Sequence, residues 1–244
     1  MPYYINKKKH KIAYKTVKGR GLGIIFIHGL NSDMNGKKAL AAEKYARKNN
    51  LNFIRFDCRG HGKSDGKFED YTIADWKNDL IEIIDNLTRG PQILVGSSMG
   101  GWLMLLAAKA RPSRIKGMIG LAAAADFGND LYKNLSKAKR KELQTKGITK
   151  YSSYGFSYYI RKNFFKDAKT NKILNKIIRY KKPLILIHGL KDNVVSKKVP
   201  EIIAKKITGK NVQIIYLKNS DHRLSTDFDL KIINHSLELI IKNN

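Results

Sequence analysis

The stretch Ile93-Leu94-Val95-Gly96-Ser97-Ser98-Met99-Gly100-Gly101-Trp102 decides the fold of this chain. An apolar run with the composition of a strand leads into Gly-x-Ser-x-Gly, and the helix-forming run 103–110 follows it. This order predicts a nucleophile elbow, a tight strand-to-helix turn that exposes a reactive serine. Because such a turn brings backbone close to the residues two before and two after the serine, only glycine fits there. Ser98 has glycine at both positions and Ser97 does not, so Ser98 is the predicted nucleophile.

Short apolar runs alternate with segments of helical composition on both sides of this stretch. The pattern predicts strands at 12–17, 24–27, 53–56, 93–95, 115–120, 183–187 and 212–217, with 3–5 pairing beside the first. It predicts helices at 37–48, 75–87, 103–110, 199–207 and 227–242, and a turn at 19–23. Such alternation favours an α/β fold, with a doubly wound, mostly parallel sheet that helices cover on both faces.

The alternation stops after residue 126 and resumes at 181. We therefore predict a core of residues 1–126 and 181–244, and a helical cap or lid of residues 127–180. Because the insertion follows a strand that ends at the same sheet edge as Ser98, the cap is expected to overhang the serine. Its aromatic residues either line a substrate pocket or form only the core of the cap. They include Tyr154, Phe156, Tyr158 and Phe164.

Two later loops supply the predicted acid and base. A serine hydroxyl becomes nucleophilic when a base removes its proton, and an acid must orient that base. In this architecture the acid and then the base follow the serine, on loops after later strands. Asp192 and His222 each lie five residues after a predicted strand end, so they are the predicted acid and base. Asp126 also follows a strand and is the alternative acid, whereas Asp221 is expected to bond the backbone of its own turn.

Attack on a carbonyl group creates an oxyanion, which needs preorganised N–H donors. The predicted donors are the backbone amides of Met99, directly after the serine, and Leu30, in the loop after strand 24–27. His28 and His188 end strands and are expected to hydrogen-bond their own loops. Since the sequence has no cluster of Cys, His and Asp with metal-ligand spacing, neither a metal nor another cofactor is expected.

Together these motifs resemble the α/β-hydrolase superfamily over nearly the whole chain. Within it, the sequence is similar to the acyl-protein thioesterases, a branch that includes the animal mitochondrial depalmitoylating enzymes, also described as acyl-glucuronide esterases. The resemblance rests on 96–102, on the turn Arg59-Gly60-His61-Gly62-Lys63-Ser64, on His188-Gly189 with Asp192, and on 220–223.

The resemblance implies a cofactor-independent serine hydrolase of carboxylic esters or thioesters, acting on a small-molecule or acylated substrate. Ser98 attacks the acyl carbon, His222 takes and returns the proton, and Asp192 fixes the imidazole. A serine peptidase or lipase with the same triad is the alternative within enzymes. A catalytically inactive binding protein is the alternative from another class, because a fold does not determine a function.

The net charge of +28 comes from 48 Lys and Arg residues against 20 Asp and Glu residues. The basic residues are spread over every segment, and no recognisable nucleic-acid-binding module accompanies them. We therefore expect weak, salt-dependent attraction to anionic surfaces rather than specific nucleic-acid binding. The aromatic residues among the lysines of 127–180 keep the stacking of single-stranded bases as an alternative to be tested.

Length and targeting signals restrict the location of the protein. At 244 residues the chain suits one domain with an insertion, and it has no apolar run long enough to span a membrane. No apolar segment follows the basic amino-terminal residues, so no signal peptide is expected. Cys58 is the only cysteine and suits a reducing cytosol. These features favour a cytoplasmic, bacterial protein, and they do not indicate an oligomeric state.

Overall fold

The computed structural model describes residues 1–153 and 156–243. For Ser153 and Phe156 it describes the backbone alone. Tyr154, which the sequence places in the predicted cap, lies outside the described residues, as does the side chain of Phe156. No helix of the described chain is long and apolar enough to cross a membrane.

The strands are β1 (Tyr3–Ile5), β2 (Lys11–Val17), β3 (Arg20–Ile27), β4 (Leu51–Phe56), β5 (Gln92–Ser97), β6 (Ile115–Leu121), β7 (Ile148–Ser153), β8 (Phe156–Arg161), β9 (Leu184–Gly189) and β10 (Val212–Leu217). The helices are α1 (Lys37–Lys48), α2 (Ile73–Asn86), α3 (Met99–Ala110), α4 (Gly128–Lys133), α5 (Lys137–Lys146), α6 (Lys162–Thr170), α7 (Lys198–Lys206) and α8 (Asp227–Lys242). A short 3-10 helix spans Phe68–Asp70.

In the described part of the chain, eight strands form one sheet in the order β1-β2-β4-β3-β5-β6-β9-β10. β2 pairs antiparallel with both β1 and β4, and the remaining neighbours are parallel. The predicted doubly wound, mostly parallel sheet is thereby confirmed. Because the parallel strands point the same way, their carboxyl ends meet at one edge, where ligands bind in this class of fold.

The two faces of the sheet pack into two separate hydrophobic clusters. Ile25 of β3 joins the cluster beneath α2 and α3, where Trp76 and Trp102 are buried. The next residue, Phe26, joins the opposite cluster beneath α1 and α8. Both faces of the central strands are therefore covered, which is why these strands are continuously apolar in sequence.

The turn predicted at 19–23 is wrong over most of its length, because β3 already begins at Arg20. The register between β3 and β4 shifts between Arg20 and Gly23, and Gly21 has a φ of 69°. The glycines thus make a bulge inside the strand rather than a turn before it.

The insertion is only partly helical, unlike the helical cap that the sequence predicts. Between α5 and α6 it contains an antiparallel hairpin of β7 and β8, in which Tyr151 pairs with Tyr158. Tyrosine, isoleucine and threonine fit a pleated surface, so this composition suits strands. α5 ends at Lys146 and is followed by Gly147, whose φ of 72° is the left-handed conformation that closes many helices.

Polar contacts fasten the insertion to the rest of the chain. The Ala74 amide at the start of α2 donates to Asp167 Oδ2 of α6 at 2.9 Å. Trp102 Nε1 of α3 donates to the carbonyl oxygen of Asn171 at 3.2 Å. These contacts join the insertion to the start of α2 and to α3, the helix that follows the elbow.

Candidate active site

Ser98 alone connects β5, which ends at Ser97, to α3, which begins at Met99. Its φ of 52° and ψ of −116° are strained for a residue with a side chain. The surrounding backbone fixes this conformation. The Ser98 amide donates to the Leu121 carbonyl oxygen at 2.9 Å, and its own carbonyl oxygen accepts from the amides of Gly101 at 2.9 Å and Ala124 at 3.0 Å.

The two glycines of the elbow are required by close backbone contacts. A Cβ on Gly96 would lie 2.4 Å from the Gly100 carbonyl oxygen, and a Cβ on Gly100 would lie 2.3 Å from the Ile27 carbonyl oxygen. The steric reason predicted for these positions is therefore confirmed. Ser97 points away from solvent and is buried, whereas the Ser98 hydroxyl faces a cavity.

The structure brings Ser98, His222 and Asp192 together from three separate loops. His222 Nε2 lies 3.1 Å from Ser98 Oγ, and His222 Nδ1 lies 2.8 Å from Asp192 Oδ2. Since a carboxylate only accepts, Nδ1 carries the proton in this pair, and Nε2 is left to accept the proton of the serine hydroxyl. This is the order of contacts that nucleophilic catalysis by serine requires.

The carboxylate of Asp192 is fully buried and well supplied with donors. Its Oδ1 accepts from the amides of Val194 at 2.8 Å and Val195 at 2.9 Å. Burial alone raises the pKa of Asp192, but the hydrogen bond and charge of His222 and the two amides outweigh it and leave the pKa below its ordinary value. Asp192 therefore stays charged at neutral pH.

The loop that carries His222 is held by contacts that the sequence did not reveal. Ser220 Oγ donates to the carboxylate of Asp229 at the start of α8. Lys38 of α1 donates from Nζ to the carbonyl oxygen of Arg223. Burial lowers the pKa of Lys38 to about 8, although the nearby Asp221 and Asp229 act in the opposite direction. The contact of Lys38 joins residues 185 positions apart, so no local pattern signals it.

Asp221 accepts from the Arg223 amide at 2.9 Å, as expected for a residue that bonds its own turn. Asp126, the alternative acid, has a different partner. Its carboxylate accepts from the amides of Ile173 and Leu174, each at 2.9 Å, and so joins the end of β6 to the returning end of the insertion. Within the described residues Asp126 makes no bond to His222.

The predicted oxyanion donors lie beside the serine. A Cβ on Gly29 would lie 3.2 Å from Ser98 Cβ, so the loop after β3 contacts the elbow directly. Among the described residues, the amides of Leu30 and Met99 donate to no protein acceptor. Both N–H groups are thus available to a ligand, and Met99 also begins α3, where the helix dipole favours negative charge.

Two buried imidazoles fix the loop that contains Leu30. His28 Nε2 accepts from the Cys58 amide at 3.0 Å while Nδ1 donates to the Gly29 carbonyl oxygen at 2.7 Å. His61 Nε2 accepts from the Asn31 amide at 3.2 Å. Burial lowers the pKa of His28, and it lowers that of His61 to about 3, so both rings are neutral. The contact of His28 with its own loop is as predicted, whereas the role of His61 was missed.

A cavity of about 880 Å³ opens in front of Ser98, between the loops of the sheet and the insertion. Its apolar wall includes Leu30, Phe127, Leu131, Tyr151, Tyr158 and Val199. Tyr158 therefore lines the cavity, as one of the two sequence interpretations requires. Phe164 does not, because its ring is buried against Trp76, Phe127 and Phe165. Within the described residues, no group of three or more His, Cys, Asp or Glu side chains is placed to hold a metal ion.

Comparison with known proteins identifies the family. The family described as serine aminopeptidase, S33 matches residues 22–154, more than half of the chain. The chain belongs to this family of α/β-hydrolases. Human palmitoyl-protein thioesterase ABHD10, mitochondrial, is 41% identical over 234 residues, which cover 94% of this chain and 76% of the human protein.

Solved structures agree with this assignment. The structure of alpha/beta hydrolase domain-containing protein 10 from mouse is 37% identical and superposes with a TM-score of 0.91, covering 99% of this chain and 98% of the mouse chain. A putative hydrolase from Agrobacterium vitis is 27% identical and superposes with a TM-score of 0.92, covering 98% of this chain and 96% of its own. The predictions of an α/β-hydrolase fold and of a hydrolytic enzyme are confirmed.

Proposed function

We propose that this enzyme hydrolyses acyl thioesters and esters, with Ser98 as nucleophile, His222 as general base and Asp192 as the orienting acid. The observation that carries the proposal is the continuous contact from Ser98 Oγ through the His222 ring to Asp192 Oδ2, beside a cavity that has both apolar and polar lining residues. The strained, backbone-fixed conformation of Ser98 supports it, because such strain is typical of functional sites.

The proposed reaction runs in two halves. Ser98 Oγ attacks the acyl carbon while His222 Nε2 takes the hydroxyl proton. The amides of Leu30 and Met99 bind the oxyanion of the tetrahedral intermediate, each contributing about 3–4 kcal/mol by comparison with similar donors. His222 then gives the proton to the departing thiolate or alkoxide, and an acyl-enzyme remains. In the second half, His222 activates a water molecule that releases the carboxylic acid and regenerates Ser98.

The substrate class is argued from the relatives and from the cavity. The bovine and human relatives are named palmitoyl-protein thioesterases, which favours a thioester of a long acyl chain. We propose that residues 127–180 act as a cap over the core 1–126 and 181–244. In this proposal the cross-strand pair of Tyr151 and Tyr158 forms the part of the acyl pocket that the cap contributes.

We propose an acylated protein or an acylated small molecule as the substrate. At low salt, weak attraction to anionic surfaces would bring the basic enzyme close to acylated substrates that lie on such surfaces. The cytoplasmic location stays a prediction, since the curated relatives are named mitochondrial.

A panel of thioesters, oxygen esters and aminoacyl amides, each of rising acyl length, tests the proposal. We expect thioesters and esters to be hydrolysed, with kcat/KM rising with acyl length until the cavity is filled. Cleavage of aminoacyl amides without cleavage of esters would instead support a peptidase, the activity in the family's description. No hydrolysis of any member would support a binding protein.

A further inference from the structure

A second histidine approaches the acid of the triad. His188, near the end of β9, is only 1% exposed. Its Nε2 lies 3.1 Å from the Val195 carbonyl oxygen and 3.5 Å from Asp192 Oδ2. Oδ2 is also the oxygen that accepts from His222. The expected contact of His188 with its own loop is confirmed, but the sequence did not indicate that the ring also reaches Asp192.

The surroundings fix the tautomer of His188. Because a carbonyl oxygen and a carboxylate both only accept, the proton of the neutral ring resides on Nε2. Nδ1 is then an acceptor, and this atom is buried without a hydrogen-bond partner among the described residues. An unsatisfied buried nitrogen destabilises a fold, and a leucine of similar size would leave no such atom. What the imidazole offers that leucine lacks is the N–H on Nε2.

We propose that His188 is a positioning residue: its Nε2–H bonds the Val195 carbonyl oxygen and faces Asp192 Oδ2 at 3.5 Å, and so keeps the carboxylate with Oδ2 directed at His222. The proposal rests on the catalytic roles given above to Ser98, His222 and Asp192. When His222 takes the proton of Ser98 it becomes a cation, and the carboxylate must face it at that moment. The Nδ1–H of His222 at 2.8 Å and the Nε2–H of His188 at 3.5 Å face the same oxygen and keep Oδ2 in place through this change of charge.

His188 itself remains neutral throughout. Burial lowers its pKa, and the charge on His222 lowers it further, although Asp192 and the Val195 carbonyl group act in the opposite direction. Other titratable groups near the pair include Tyr216 of β10, whose ring meets that of His188 edge-on, and Lys38 of α1, whose charge interacts with that of Asp192.

Three variants test the proposal in the full chain: His188→Leu, which removes the donor and the unsatisfied nitrogen; His188→Gln, whose amide reaches as far as Nε2; and His188→Asn, whose amide does not. We expect His188→Leu to lower kcat roughly tenfold, about 1.4 kcal/mol in the barrier, with KM unchanged. Its unfolding temperature should stay close to that of the wild type, because the loss of the unsatisfied Nδ1 offsets the loss of the hydrogen bond to the Val195 carbonyl oxygen. His188→Gln should recover most of the activity and His188→Asn should not.

The pH profile separates positioning from packing. With one donor fewer, Asp192 attracts the proton on His222 more strongly, so the acid limb of kcat/KM should move to higher pH, by about half a unit, in His188→Leu. Wild-type kcat and an unmoved acid limb in a folded His188→Leu would overturn the proposal. So would equal losses of activity and stability in the Gln and Asn variants, which decide the matter if the leucine variant does not fold.

The proposed function can fail separately from this inference. If the wild type hydrolyses no ester or thioester, the proposed function is wrong, and the positioning role that rests on it is wrong as well. If the wild type is active and loses that activity in Ser98→Ala, but the His188 variants behave like the wild type, only the positioning role is wrong.

Discussion

The carboxyl edge of the sheet and the insertion above it are built in different ways. At the edge, backbone groups fix the nucleophile and the acid: three backbone hydrogen bonds hold Ser98, and two amides hold Asp192. The insertion is held instead by aromatic packing around Phe164 and by a few polar contacts such as that of Asp167 with Ala74. We infer from this comparison that the chemistry resides on the frame, meaning the sheet and the loops at its carboxyl edge, and that acyl selectivity resides in part on the insertion.

The largest effect should come from the frame itself. We expect Ser98→Ala to reduce kcat by about 10⁶-fold, the scale on which removal of a triad serine acts in a comparable enzyme. The same substitution should abolish covalent labelling by a fluorophosphonate probe, measured by mass spectrometry of the intact chain. Ser97→Ala is the matched control and should keep its labelling. A probe adduct on Ser97, or labelling that survives in Ser98→Ala, would contradict the elbow.

The next prediction compares two carboxylates that each follow a strand. Asp192→Asn should lower kcat by the order of 10⁴-fold, because the imidazole loses its orientation and its counter-charge. Asp126→Asn should cost far less, since Asp126 bonds the amides of Ile173 and Leu174 and not the base. Steady-state kinetics on one thioester measures kcat for both variants. If Asp126→Asn were the more damaging, the acid would lie after β6, and Asp192 would not be the orienting acid.

Much of the frame can be predicted from the sequence, because the sequence signals that specify its helices and strand ends are local. The helices predicted at 37–48 and 227–242 match α1 and α8 residue for residue. The start of α8 carries a capping box of Thr226 and Asp229, a signal that lies within four residues. Ser98, Asp192 and His222 could be chosen for the same reason, since parallel strand ends converge at one edge whatever the packing elsewhere.

The remainder depends on contacts between distant parts of the chain. Burial of Phe164 against Trp76 places its ring in the packing between insertion and core rather than in the cavity, and no periodicity distinguishes the two. The contact of Lys38 with the Arg223 carbonyl oxygen joins α1 to a loop near the end of the chain. Such contacts are decided by tertiary packing, which hydrophobic patterns do not encode.

Two aromatic residues of the insertion allow selectivity for acyl length to be tested separately from packing. Tyr158 lines the cavity, whereas Phe164 is buried in the packing beside it, so the two aromatic residues make a matched pair. We expect Tyr158→Ala to lower kcat/KM more for longer acyl chains, by roughly 0.8 kcal/mol for each methylene that loses its buried contact. Phe164→Ala should lower the unfolding free energy, by about 3–5 kcal/mol as for other buried phenylalanines, with a loss of kcat/KM that is uniform across chain lengths.

The controls for this pair are the unfolding temperature of each variant and the binding of single-stranded nucleic acid by the wild type. A chain-length-independent loss in Tyr158→Ala would mean that the ring only packs the cap. Tight, salt-resistant binding of single-stranded nucleic acid would show that the aromatic and basic residues of 127–180 serve another ligand.

The smallest expected effect is a change of stability with pH that comes from a histidine. It arises in the core, because the insertion contains no histidine. Burial lowers the pKa of His61 from 6.5 to about 3, so the unfolded chain takes up a proton at this residue before the native chain does. The stability that His61 contributes is therefore complete above pH 6.5 and is lost as the pH falls towards 3. The limiting slope is about 1.4 kcal/mol for each pH unit.

Chemical denaturation between pH 7 and pH 4 measures this slope in the wild type and in His61→Gln, whose amide oxygen can still accept from the Asn31 amide. The variant should lose less stability than the wild type as the pH falls. Burial raises the pKa of Asp79 to about 6, so Asp79 acts in the opposite direction, but it is present in both proteins and the difference between them isolates His61. Identical slopes would mean that the loop after β3 does not depend on a neutral ring at position 61. The hydrogen bond from the Asn31 amide to His61 would then contribute little to stability.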